Sequence, residues 1–235
     1  MRLSASRRLS YGAVACTLLV AACTPDLATG PATRHSVSAS VRNPIVFVHG
    51  WMSTSAAFTT MVSRFKADGW TDAEILSFTY NSSQSNAVTA QLIKAKVDSI
   101  LAITGATKVD IITHSMGTLS ARYYVKYLGG DGKVDALVAL GGTNHGTMTA
   151  SFCAQTSCVE MRYLSRFVNS LNAGDESWGT PRYATWWTSC DEVIYPQNSA
   201  VIAGAVNTKT ACMKHSQLKE NATVYAQVKS MVAQQ

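Results

Sequence analysis

Residues 109–117 read Val-Asp-Ile-Ile-Thr-His-Ser-Met-Gly, and the helix-like stretch Met116–Leu128 follows at once. Val109 to Thr113 is a short apolar run of the kind buried on both faces of a parallel sheet. A strand that turns straight into a helix at a serine pushes that hydroxyl out of the fold. The free N–H groups and dipole of the helix start favour negative charge developing there. Ser115 therefore reads as a nucleophile on a strand–turn–helix elbow. The usual G-x-S-x-G pattern appears as Thr113-x-Ser115-x-Gly117, with threonine at the first small position. A serine in such a tetrapeptide also serves as a plain helix N-cap, so the surroundings decide.

About 65 residues upstream, the apolar run Ile45–Val48 ends in His49-Gly50-Trp51. Phe47-Val48-His49-Gly50, then Lys108-Val109-Asp110-Ile111 through Gly117, then Leu140-Gly141-Gly142-Thr143-Asn144-His145-Gly146 follow one another in order. This series resembles the small secreted bacterial triacylglycerol lipases and esterases, the class 2 lipase type of the α/β-hydrolase superfamily. The resemblance runs from about Pro44 to the C-terminus. It implies an α/β-hydrolase fold: a mostly parallel central sheet with helices on both faces, minimal and without a large lid. In that fold the loop after the first of these strands and the residue after the nucleophile each contribute an oxyanion-hole N–H. Here those are Trp51 and Met116. The sequence departs from the family pattern at Thr113 and at Thr118, where members often carry a second glycine.

The same fold carries its acid and base after the serine, in the order Ser, Asp or Glu, His. Among the histidines, His35 lies in a Ser/Thr/Ala-rich leader and His49 belongs to the oxyanion turn. His114 adjoins Ser115, and its ring is expected to point away. His145, in the Gly-rich loop after Val134–Leu140, is expected at the mouth of the site. His215 follows Ser115 by 100 residues, just before the last helix, where the family carries its catalytic histidine. Acids between Ser115 and His215 are Asp131, Asp135, Glu160, Asp175, Glu176, Asp191 and Glu192. Asp131 sits in a Gly-rich turn and Asp135 at a strand start. Asp191 follows the aromatic strand Tyr183–Trp187, at the carboxyl end where ligand sites of parallel sheets gather. It is the first choice, with Glu192 second.

Six cysteines, at 16, 23, 153, 158, 190 and 212, show no metal-ligand spacing. The last four are even in number. A Cys190–Cys212 bond would tie the loop of the acid to the loop of the base, and Cys153–Cys158 would close a short loop beside the site. Spacing alone leaves other pairings open. Disulfides imply an oxidising compartment, and the N-terminus agrees. Arg2, Arg7 and Arg8 precede the apolar stretch Tyr11–Ala22, which is too short to span a bilayer and reads as an export signal over 1–22. Val20-Ala21-Ala22-Cys23 resembles the lipobox of bacterial lipoproteins, with Cys23 the lipidated residue; the alternative is an ordinary signal peptide cut nearer Ala28 or Ala39. Residues 23–42, rich in Ser, Thr and Ala, then form a flexible tether to a catalytic domain over 43–235. The expected location is the cell surface or the extracellular medium.

Strand candidates at Ile45–Val48, Ile75–Phe78, Val109–Thr113, Val134–Leu140, Tyr183–Trp187 and Val201–Ala203 alternate with helical patterns at Ala56–Ala67, Asn86–Thr104, Met116–Leu128 and Val224–Val232. Alternation of this kind predicts a parallel sheet covered on both faces. The formal charge of +6 falls to +3 without the leader arginines, and no basic run points to nucleic acid. The chemistry needs no metal or cofactor. The expected partner is an ester or lipid substrate, met at a lipid interface; the membrane itself is reached only through the anchor. Trp51, Met52, Phe58, Trp178, Trp186 and Trp187 are candidates for an acyl groove, although Trp186 and Trp187 equally read as alternate faces of a strand. Ser151–Pro181, with a helical pattern at Met161–Leu171, is the stretch able to shield the site. Polyester depolymerase, acyltransferase and non-catalytic surface-binding lipoprotein are the rival readings.

Overall fold

A computed structural model describes residues 42–234. The export signal, Cys23 and the tether up to residue 41 lie outside the described residues. Six parallel strands form one sheet in the order β2-β1-β3-β4-β5-β6: β1 Ile45–Val48, β2 Ile75–Ser77, β3 Val109–His114, β4 Val134–Leu140, β5 Arg182–Trp187 and β6 Val206–Lys209. Every strand pairing is parallel. The order places β1, β3, β4 and β5 inside the sheet, and burial on both faces explains why β1, β3 and β4 read as largely apolar runs.

Side chains that alternate along each strand divide the interior into two cores. Val46, Val48, Val109, Ile111 and Leu137 pack on one face against α2 (Asn86–Thr104), α3 (Gly117–Tyr127) and α5 (Arg166–Asn172). Ile45, Phe47, Ile112, Val138 and Leu140 pack on the other, against α1 (Thr59–Ala67) and α6 (Ala222–Val232). Helix ends follow local chemistry. Ser85 caps α2 by accepting from the Ala87 N–H, and Gly105, left-handed at φ 71°, ends it. Asn221 caps α6 by accepting from Thr223 and Val224. Among the described residues no helix is long and apolar enough to cross a membrane.

Two expectations fail here. Val201–Ala203 is loop, and the edge strand begins later, at Val206, because Asn207 bonds the Ile202 N–H and carbonyl and folds that loop back on itself. The Met161–Leu171 pattern is not one helix but the end of α4 (Thr156–Met161) and then α5. The chain breaks at Leu164, left-handed at φ 52°, and restarts with Ser165 capping the Val168 N–H.

Candidate active site

β3 delivers the chain to Ser115, whose φ of 57° lies in the left-handed region. A side-chain-bearing residue held there stores on the order of 1–3 kcal/mol and needs its surroundings to hold it. The Ser115 N–H donates to the Leu140 carbonyl at 3.0 Å. Gly117 begins α3 so close to β1 that a Cβ would overlap the carbonyls of Val48 and His49. Thr113 Oγ1 donates to the Val138 carbonyl at 2.8 Å and lies 2.7 Å from Thr118 Oγ1, so Thr118 is the donor of that pair. The two departures from the family pattern therefore touch each other and brace the turn together.

Asp191 and His215 come from loops beyond β5 and β6. Thr188 Oγ1 accepts from the N–H groups of both Cys190 and Met213, and the Cys190–Cys212 disulfide joins the same loops. Asp191 is buried; its Oδ1 accepts from the Val193 and Ile194 N–H groups at 2.9 and 2.8 Å. Its Oδ2 lies 2.8 Å from His215 Nδ1. An ionised carboxylate only accepts, so Nδ1 carries the imidazole proton and Nε2 keeps a lone pair. That Nε2 is buried and has no hydrogen-bond partner among the described residues. Glu192, the second choice for the acid, instead accepts from the His215 backbone N–H at 3.0 Å.

Ser115 and His215 line one cavity of about 550 Å³, walled by Trp51, Ala150, Met161 and the Cys153–Cys158 disulfide. Its mouth is apolar and open to water: Met52 is 76% and Phe152 95% exposed, with Val193 beside them. Neither the Trp51 nor the Met116 N–H has a partner among the described residues.

Residues 42–235 match the family described as lipase (class 2). The chain belongs to that family. Lipase B of Aspergillus fumigatus shares the fold with a TM-score of 0.68 at 16% identity, over 83% of this chain and 53% of that one. The chain thus spans about half the length of the Aspergillus protein. The mature lipase BlEst2 of Bacillus licheniformis matches with a TM-score of 0.73 at 14% identity, over 82% of this chain and 93% of that one. The lin2722 gene product of Listeria innocua matches at 0.61 and 14%, over 80% and 92%. The six-stranded sheet is thus the α/β-hydrolase sheet in an all-parallel version.

Within this class 2 lipase chain several side chains sit elsewhere than their sequence positions suggested. His114 does not turn away: its ring is 4.5 Å from that of His215, its Nε2 lies 3.2 Å from the His215 carbonyl, and it lines the cavity. Burial, helped by His215, holds its pKa well below the ordinary histidine value. β3 runs one residue further than expected, to His114 itself. His145 is not at the mouth; Nε2 bonds Glu176 Oε1 at 2.9 Å and Nδ1 faces the Ser199 carbonyl. Arg122 from α3, whose guanidinium burial pushes down to about 10, clasps the Asn144 and Glu176 carbonyls in the same network. This network braces the glycine-rich loop. Trp51 and Met52 line the cavity, whereas Phe58, Trp178, Trp186 and Trp187 do not. Trp186 is buried against α6 and Trp187 meets Lys209, as alternate faces of β5 require. Phe152, at the end of the 3-10 turn Met148–Phe152, is a cavity residue with no signal in the sequence: it stands alone among small and polar neighbours, without periodicity to mark it.

Proposed function

We propose that the chain is a serine carboxylic-ester hydrolase, a lipase acting on acylglycerols at a lipid interface. The observation that carries this reading is the Asp191–His215 pair beside a left-handed Ser115 in one apolar-walled cavity. Ser115 Oγ attacks the ester carbonyl carbon while its proton passes to His215 Nε2. The carbonyl oxygen becomes an oxyanion that accepts from the Trp51 and Met116 N–H groups. Collapse of the tetrahedral species breaks the ester C–O bond, and the imidazolium returns its proton to the leaving alcohol. Water, deprotonated by His215, then releases the acid from the Ser115 ester. Asp191 keeps the imidazole tautomer and stabilises its charged form throughout.

The exposed Met52, Phe152 and Val193 around the mouth support a lipid interface as the place of action. An organisation with an export signal over 1–22, a tether over 23–42 and a catalytic domain over 43–235 fits this use. Lipidation of Cys23 would hold the enzyme at a membrane surface, and two disulfides suit an exported protein.

A fluorescent alkyl phosphonate, followed by peptide mass spectrometry, tests the reading. Labelling at Ser115 that disappears in His215→Ala is the expected result. A folded protein that takes no label overturns it in favour of a non-catalytic surface-binding lipoprotein. Turnover on short and long p-nitrophenyl esters, tributyrin, triolein and a polyester film separates lipase from polyester depolymerase, and acyl transfer to an added alcohol marks an acyltransferase.

A further inference from the structure

Lys219 lines the same cavity as Ser115 and His215, yet nothing in the mechanism above uses it. It ends the turn His215–Lys219 and is only 8% exposed. Lysine is seldom buried unless its charge is paired, because the ammonium loses the water that would serve its three N–H donors. Among the described residues Nζ finds two acceptors, the Ser216 carbonyl at 3.2 Å and Glu220 Oε1 at 3.1 Å. The first is neutral, and the Glu220 side chain is 52% exposed, so water screens that pair. One N–H is left without a partner among the described residues, and the charge is only partly answered.

The cavity lining holds one ammonium, Lys219, and one carboxylate, Glu192. Glu192 is exposed, with Oε2 tied to the His215 N–H, and Lys219 pairs with Glu220 instead of with it. The ammonium is near enough to His114, another lining residue, for its charge to add to burial and to His215 in lowering that ring's pKa. An inner cation and an outer anion thus accompany His215 in a cavity otherwise walled by Trp51, Ala150, Met161 and a disulfide. A triacylglycerol offers nothing to such a pair. A phosphoglyceride does. Its phosphate hangs from the glycerol carbon next to one that bears an acyl ester, so both groups enter together, and in choline or ethanolamine lipids a cation follows the phosphate outward.

We propose that Lys219 forms a phosphate subsite beside the reacting ester, and that the chain cleaves acyl esters of phosphoglycerides with choline or ethanolamine headgroups. This rests on the ester-hydrolase reading. The bond broken is the carboxylic ester already described: water supplies hydroxyl to the acyl carbon and hydrogen to the glycerol oxygen, and the phosphodiester stays intact. The products are a fatty acid and a lysophospholipid. The remaining Nζ N–H makes a charge-assisted hydrogen bond to a phosphate oxygen.

Dihexanoyl phosphatidylcholine and dihexanoylglycerol share their acyl chains and differ at the headgroup. Wild type is expected to hydrolyse the phospholipid with kcat/KM at least equal to that on the glycerol ester. Lys219→Met keeps the length of the side chain and removes its charge. It is expected to lower kcat/KM on the phospholipid about 10–100-fold more than on dihexanoylglycerol, mainly through KM, while Lys219→Arg keeps most of the preference. Turnover of dihexanoylglycerol alone by wild type overturns the inference and leaves the hydrolase reading standing. Equal losses on both substrates in Lys219→Met also overturn it, since Lys219 would then only prop the turn. The dialkyl ether analogue of the phospholipid reads the subsite without catalysis: by titration calorimetry, wild type is expected to bind it about tenfold tighter than the dialkyl ether of glycerol. Equal affinities overturn the inference, whether or not Lys219→Met folds. If wild type turns over neither ester and takes no phosphonate, the hydrolase reading fails, and the calorimetry still decides the subsite. Inorganic phosphate that binds as tightly as the ether lipid would assign Lys219 to a free anion and overturn it as well.

Discussion

Asp110 and Asp191 are both buried, at opposite ends of the sheet, and their surroundings treat charge in opposite ways. Asp191, beyond the carboxyl end of β5, is given two backbone N–H donors and an imidazole N–H. Asp110, near the amino end of β3, has the Ala136 N–H on Oδ1 and the Asn43 side chain as a second donor, but no imidazole, and it faces the acidic Asp135. Burial first, then Asp135, pushes the Asp110 pKa up to about 8, against the opposing pull of Arg182. Burial alone therefore does not decide how a carboxyl is held: Asp191 pairs with an imidazole, whereas Asp110 sits beside a second carboxyl.

Substitutions that break this comparison differ most in activity. Asp191→Asn removes the acceptor that sets the His215 tautomer and is expected to lower kcat by about 10⁴-fold, while Asp110→Asn leaves kcat on p-nitrophenyl butyrate unchanged. Comparable losses in both would end the distinction. Ser115→Ala sets the floor, with a loss of about 10⁶-fold and an unchanged circular dichroism spectrum.

Next in size is the tie between the Asp191 and His215 loops. Replacing Cys190 and Cys212 together by alanine opens a 22-residue separation and is expected to cost about 3 kcal/mol in urea unfolding, with a drop in kcat. The same change at Cys153 and Cys158, separated by 5 residues on the cavity wall, is expected to alter acyl-chain preference more than stability. Identical effects of the two pairs would show that neither loop has a separate role.

Stability against pH sharpens the comparison from the other end. A carboxyl whose folded pKa is raised stabilises the fold fully below its unfolded pKa of about 3.9, and that contribution is lost as pH rises toward 8. Asp110→Asn removes the loss. Its Tm advantage over wild type is expected to be negligible near pH 4 and to grow to about 5 °C at pH 8.5. An advantage independent of pH would mean that the Asp110 carboxyl is ionised in the fold. The smallest effect belongs to the elbow brace: a double-mutant cycle of Thr113→Val and Thr118→Val is expected to show coupling of about 1 kcal/mol, and none if the two hydroxyls act separately.

Much of this arrangement is legible in the chain. The apolar runs at 45–48, 109–113 and 134–140 mark strands covered on both sides, and alternation with helical periods marks the layered fold. The edge strand begins at Val206 and not at Val201 because its mostly exposed Val-Asn-Thr-Lys has a single apolar residue and pairs only on one side. The Met161–Leu171 pattern misled because the periodicity of its apolar residues outlasts the backbone reversal at Leu164.

What the sequence determined by itself was local: a serine between a buried strand and a helix, His-Gly at the end of another, and an order of acidic and basic residues to choose among. Such features depend on neighbours within a few residues, where sterics and hydrogen bonding act along the chain. Only the tertiary structure decided that Asp191 rather than Glu192 faces the His215 ring, that His114 packs beside it, and that Thr113 meets Thr118. It alone decided that Phe152 rims the cavity while Trp186 is core. These outcomes turn on the direction of side chains brought together across sheet pairings and loop crossings, and a direction in space has no periodicity along the chain to reveal it.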